Sequence, residues 1–207
     1  MSRYREPTWG TTEEAIDVET SPEKRSISPF EITGVITRLL QYHFSDPNNI
    51  ENTLLKNYTW STPRKDSRLL IGPEYLRNDA VLKRPALFVH REPVQATSLG
   101  EYRKIEVVVE GVTKNTPNYL RHLVGKHVVY CEAMAGAEAE ALAWEVFNRM
   151  MVFSPTMTDD FNMDAFDVAG LGKVEQRVEQ ETSIFVVPVT LTWQKTHIWS
   201  ILSPTVY

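Results

Sequence analysis

A single cysteine, Cys131, stands among 207 residues, so no intrachain disulfide can form and no oxidising compartment is implied. Long apolar runs are missing as well. No stretch approaches the roughly 20 residues that a bilayer-spanning helix needs. The opening Met1-Ser-Arg-Tyr-Arg-Glu-Pro lacks the apolar core of a signal peptide, so the expected location is cytosolic or particle-bound, with no membrane partner. Positive charge is not in excess either. A net charge of -5 and a pI near 5.6 argue against a dedicated nucleic-acid binder. They leave room for DNA in transit past an acidic wall that repels phosphates. Glycine is sparse, and Gly170-Leu-Gly172 lies between β-type runs without opening a helix, so no phosphate-binding loop is present.

What remains is an ordinary globular composition, 42% hydrophobic and 24% charged. A chain of this size buries roughly 70% of its unfolded surface without a covalent staple. Residues 1–27 are rich in Ser, Thr and Glu, with only scattered apolar positions such as Trp9, Ile16 and Val18. No period holds there, so the segment cannot bury a face of its own. It reads as a disordered tail or as an extended N-terminal arm that a partner orders. Residues 28–207 then read as a single α+β domain.

Ser28-Pro29-Phe30-Glu31 predicts a helix start, with Ser28 as cap, Pro29 in the first turn and Glu31 closing a capping box. Ile32, Val35, Ile36, Leu39, Leu40 and His43 recur on one face. Asp46-Pro47 stops the helix, because the residue before proline avoids helical geometry. Residues 48–84 have weak signals and read as a long loop or insertion, with Ile50, Leu54 and Leu55 consistent with a short helix, Leu69–Gly72 a short strand and no assignment from Pro73 to Lys83. Strands follow at Ala86–Arg91, at Lys104–Val112 after a Pro93–Gly100 connection, and at Lys126–Glu132. In the second of these Ile105, Val107 and Val109 share one face. The spacing of Ala139, Leu142, Ala143, Val146, Phe147 and Met150 predicts a second helix over Gly136–Phe153, which Pro155 should end. Glu138, Glu140 and Glu145 fall on its wetter faces, with Arg149 spaced to pair with Glu145. Ala165–Leu171, Lys173–Gln180, Ser183–Trp193 and Thr196–Ile201 complete the β signals. Pro188 cannot donate a ladder bond, so part of that run is expected at an edge or bulge. The expected architecture is a twisted, mostly antiparallel sheet flanked by two main helices, with the extended N-terminal arm.

Chemistry is hard to assemble from these residues. His122, His127 and Cys131 have an H-x4-H-x3-C spacing that invites a metal. An extended His127–Cys131 stretch, however, sets its ends about 13 Å apart, and metal–ligand bonds are only about 2.0–2.3 Å long. Cys131, in an apolar strand beside Glu132, suits a buried structural role better than a nucleophile. Asp159, Asp160, Asp164 and Asp167 lack the pattern of a calcium loop. No catalytic residue, cofactor or metal site is expected. Trp193 and Trp199 are either core anchors or interface anchors, and sequence leaves both readings open.

Over residues 29–200 the layout resembles the tail-terminator and tail-completion proteins at the neck of tailed bacteriophages. The likeness rests on the first helix, the strands Ala86–Arg91 and Lys104–Val112, the Glu/Ala-rich helix Glu138–Met151 and the closing β pair. Phe166-Asp-Val-Ala-Gly and the run from Val186 to Trp193 share that family's flavour. The resemblance implies a virion structural protein, not an enzyme: a homo-oligomeric ring, six-fold by analogy, that caps the tail tube and joins it to the head connector. The implied partners are the tail tube, sheath proteins, the connector or a neck protein, and DNA passing through without specific binding. Pro188, Trp193 and Trp199 are the candidate oligomer interface. Glu138, Glu140 and Glu145 are the candidate acidic face of a pore or rim. The alternatives are another head-completion or baseplate adaptor, and an unrelated soluble α+β protein, including an unrecognised enzyme.

Overall fold

In the computed structural model the described residues are 27–63, 66–79, 85–109, 112–179 and 182–200. The expected arm, apart from Ile27, lies outside them. The chain builds helix α1 (Pro29–Ser45), strands β1 (Leu70–Pro73), β2 (Ala86–Arg91), β3 (Gln95–Val109) and β4 (Val112–Ala133), helix α2 (Gly136–Asp159), then β5 (Ala165–Leu171), β6 (Glu175–Glu179) and β7 (Thr182–Ser200). The strands form one seven-stranded open sheet in the order β1-β2-β4-β7-β5, with β3 also on β4 and β6 also on β7. Only β1 and β2 run parallel, so the fold is α+β with a mixed, mostly antiparallel sheet.

Both helices cover the same face. Alternation along β4 points Val129, Cys131 and Ala133 toward them, opposite Val189, Val187 and Phe185 of β7. Ile32, Ile36, Leu40 and Phe44 of α1 and Leu142, Val146 and Met150 of α2 complete that core. The other face holds a smaller cluster of Leu70, Ala86, Phe88, Ile184 and Val186. There the Arg77 Nη2 of a 3-10 segment, Glu74–Asp79, reaches the buried Glu132 Oε1 at 2.9 Å.

Helix α1 starts as its sequence dictates. The Ser28 hydroxyl accepts from Glu31 N at 3.3 Å and the Glu31 carboxylate accepts from Ser28 N at 2.8 Å. Helix α2 departs from expectation, because Pro155 lies inside it. A proline in a helix interior costs roughly 3 kcal/mol, yet the extra turn buries Met157 completely in the core. Packing therefore overrides the local stop. Residues 48–84 are more structured than a loop: short 3-10 turns at Pro47–Asn49 and Thr53–Leu55, then β1, set Ile50, Leu55 and Leu69 in the core.

Strands β3, β4 and β7 are longer than the hydrophobic runs that announce them, whereas β2 and β5 match theirs and the described β6, Glu175–Glu179, is shorter than the expected Lys173–Gln180. The Pro93–Gly100 connection is mostly strand, since β3 begins at Gln95 and pairs with Val124 of β4. Lys126–Glu132 is only the far end of the 22-residue β4. Between Lys104–Val109 and Val112–Pro117, six rungs of β3 and β4 form a ribbon that is two-stranded among the described residues, where β7 pairs with β4 from Asn118 onward.

Candidate assembly surfaces

Trp193 is placed by close approach of β7 to β4. It sits opposite Gly125, and a Cβ there would collide with the indole, so only glycine admits the ring. The side chain is 1% exposed. Its Nε1–H donates to His127 Nδ1 at 3.0 Å, and His127 Nε2 lies 3.0 Å from the Thr33 hydroxyl of α1. Because indole only donates, His127 Nδ1 must accept, which leaves the proton on Nε2 to be donated to Thr33. Burial, then the charges of Arg91 and His90, lower the His127 pKa to about 4. Trp193 is therefore a core anchor linking sheet to helix. The expectation that it offers itself to a neighbouring subunit is corrected, since the ring already packs within its own fold.

Glu145 is corrected in the same way. It is 4% exposed and faces inward, not onto an acidic surface. Its carboxylate meets His43 Nε2 at 2.8 Å and accepts from the backbone N–H groups of Glu51 and Asn52 at 3.1 and 3.3 Å. Burial alone would raise this carboxyl. The His43 contact and the two N–H donors outweigh it and hold the group below the ordinary glutamate value. Glu145 thus ties α2 to the end of α1 and to the segment after it. Arg149, its expected partner, instead lies 4.4 Å over the Phe153 ring. Glu140 is exposed, whereas Glu138 is half-buried and accepts from the Tyr58 hydroxyl at 2.7 Å.

Pro188 stands where one side of β7 lacks a ladder partner among the described strands. Strand β7 pairs with β6 up to Val186 and with β5 from Val189, so the proline sits at the seam between two short partners. Its carbonyl accepts from Gly172 N at 2.8 Å. A Cβ on Gly172 would strike the proline ring, so the seam needs both residues. Trp199 stands near the end of β7 in register with Tyr119; its side chain lies outside the described set.

The other polar groups do not converge on a reaction centre. His122 faces away from His127 and Cys131 on β4, with Nδ1 3.9 Å from Asp164. Burial, helped by Glu132, pushes the Cys131 thiol far up, away from nucleophile behaviour. His90 bonds Glu74 and lies 3.8 Å from Glu92, beside an open groove of about 580 Å³ that reaches Pro29 and Val94. Among the described residues no group of three or more His, Cys, Asp or Glu could hold a metal ion. Nor is any described helix long and apolar enough to cross a membrane.

Two features are apolar, one by the exposure of described side chains and one by sequence alone. One is the outward stripe of α2, where Trp144 is 53% and Val152 65% exposed and Met151 lies between them. The Trp144 and Phe147 rings stack at 5.6 Å, nearly parallel. The other is the β3–β4 ribbon, whose sequence includes Ile105, Val107, Val108, Val109 and Val112. The signal for the stripe was present in the sequence, as apolar residues on the α2 face opposite the core positions. Against family models and curated proteins, no match to this chain is found.

Proposed function

We propose that this chain is a virion structural protein of the neck of a tailed bacteriophage, a tail-terminator ring that caps the tail tube and joins it to the head connector. The observation that carries the reading is the far part of β3 and β4, which among the described residues pair only with each other. A two-stranded piece of sheet is marginal in water by itself, and an open strand edge is an aggregation hazard unless something covers it. A protein that works by assembly gains a use for such an element; a self-contained one does not. Repeating one head-to-tail contact closes into a ring when the rotation per subunit allows, and six copies follow from the resemblance. Tube, sheath, connector and neck proteins are the partners in this reading, with DNA passing through.

Glu140, exposed on α2, and Glu138 beside it are the acidic candidates for a pore or rim face. Trp199 keeps its proposed place at the interface; Trp193 and Glu145 do not. A symmetry-resolved image of the particle neck tests the proposal. The expected result is a ring of this chain between tail tube and connector. Its presence in the capsid shell or tail fibres, or its absence from particles, would refute it.

A further inference from the structure

We infer that a second copy of this chain covers the helix layer, stacked through a two-fold axis that sets the outward face of α1 in one copy on the outward face of α2 in the other. Such a contact closes on two copies and does not propagate, so it is a state of the chain apart from any ring.

Both faces are made of described side chains. On α1, Phe30 is 70% and Tyr42 67% exposed, and on α2 Trp144, Met151 and Val152 are exposed. These five together present on the order of 700 Å², close to the ~800 Å² that one partner brings to a stable interface of standard size. The two stripes cannot cover each other within a subunit, because the helices lie side by side on one face of the sheet and turn these residues away from it.

The fold fixes what would meet. Helix α1 runs from Thr33, which bonds His127, toward Gln41, which bonds the Ile71 carbonyl on the level of Cys131. Helix α2 runs the opposite way. It starts beside Phe185, the partner of Ala133, and its Ser154 reaches Phe166, whose register passes through Trp193 to Gly125. The bond between His43 and Glu145 sets the level of one helix against the other. A two-fold axis parallel to the helices preserves those levels while exchanging α1 and α2. Tyr42 then falls between Trp144 and Phe147 of the second copy, and Gly34 falls opposite its Pro155. No atom lies within 4 Å of the place a Cβ would take at Gly34. Nothing in the chain itself therefore calls for glycine there, a residue that weakens a helix, whereas a second chain passing close does.

Charge agrees. The exposed charged residues of the two helices are Arg38 on α1 and Glu140 and Asp159 on α2. The half-buried Glu31, Glu138 and Arg149 are engaged with Ser28, Tyr58 and Phe153 of their own chain. In the stacked pair Asp159 comes to the N-terminal end of the second copy's α1, where the helix dipole favours an anion. Stacking α1 on α1 would instead bring Arg38 toward Arg38, and α2 on α2 would bring Glu140 toward Asp159, both unfavourable.

Mixed-chain disulfide trapping tests this in the full-length protein. One chain has Arg38→Cys, a second, size-tagged chain has Met151→Cys, and a control has Lys126→Cys, exposed on the opposite face of the sheet. Copper phenanthroline with oxygen oxidises two thiols to a disulfide where they meet, and the native Cys131 is buried and stays out of the reaction. The expected product is the mixed Arg38→Cys/Met151→Cys dimer, about tenfold above pairing with the control. Sedimentation of the native chain should show a two-copy species, and Trp144→Glu should weaken it about thirtyfold while leaving the urea midpoint in place, as the loss of one exposed anchor. Mixed dimer no more abundant than the control overturns the inference, as does preferential coupling of Met151→Cys to itself. A native chain that sediments as a single copy up to about 100 µM overturns it too, being weaker than an interface of this size allows. The neck reading fails separately, by location: a trapped helix-layer dimer of a chain absent from particles would sink that reading alone.

Discussion

Strand β4 passes through two environments. At its Ala133 end it runs between β2 and β7 beneath both helices, and Val129, Cys131 and Ala133 face the main core. At its Val112 end its partner among the described residues is β3. The same strand is thus held by side-chain burial at one end and by backbone pairing at the other. The contrast separates what the chain needs in order to fold from what, in the proposed ring, it would offer a neighbour. Substitutions at the Ala133 end should cost stability, and changes at the Val112 end should cost assembly.

The largest effect is expected at Trp193. Replacing it by alanine empties the space over Gly125 and strips His127 Nδ1 of its donor. Loss of a large buried aromatic costs about 3–5 kcal/mol, readable as a drop in the urea midpoint with little change in slope. A loss below about 1 kcal/mol would erase the distinction between the two ends of β4.

Next comes Glu145→Ala, which orphans His43 and two backbone N–H groups and should cost about 3 kcal/mol. Glu145→Gln keeps an acceptor for those donors and should cost roughly half as much. Equal losses for the two variants in chemical denaturation would mean that the charge, rather than the hydrogen bonds, is what α2 requires.

Acid should act on the body in two stages. The unfolded chain protonates His127 near 6.5 and the folded one only near 4. Between those values the unfolded state binds more protons, so stability falls as pH falls, by about 2 kcal/mol at pH 5. Glu145 is likewise shifted downward, so its contribution is present above the unfolded glutamate value and is lost as pH drops through the folded one. Denaturation curves from pH 8 to 4 should show the first loss, and His127→Gln should flatten it. An unchanged slope in that variant would assign the loss to another group.

The smallest effect on the isolated subunit is expected from the ribbon. Removing residues 105–116 and joining Lys104 to Pro117 through an Asn-Gly turn should shift unfolding free energy by no more than about 1 kcal/mol in dilute solution, since a two-stranded ribbon adds little by itself. The same deletion should abolish ring assembly, as seen by electron microscopy. A collapse of the thermal transition would show that the ribbon is part of the folding core.

Much of the fold was legible because local signals agreed with global packing. The capping box of Ser28 and Glu31, the stripe of Leu142, Val146 and Met150, and the β runs of β2 and β7 all announce what forms. The sequence misled where tertiary contacts outweighed local rules. Pro155 is tolerated because Met157 beyond it is worth burying, and the first half of β4 is strand because β3 pairs with it, not because its residues alternate. The candidate site was less legible. Whether an aromatic faces in or out depends on what stands opposite, and Trp193 faces in because residue 125 is glycine. Glu145 looks like a surface charge on a helical wheel, yet the segment after α1 folds over it. Trp144 drew no reading from the sequence; its exposure and its stacking on Phe147 are seen only in the fold.

Strands β4 and β7 run side by side from Asn118 opposite Ser200 to Ala133 opposite Phe185, without a register shift. Antiparallel ladder bonds lie across the strands. Tension applied along the strands from opposite ends therefore loads all those rungs at once, in shear. The ribbon, opened from its turn, would instead come apart rung by rung, like a zip. The subunit is thus mechanically anisotropic, stiff along the line that joins ribbon to body and weak across it.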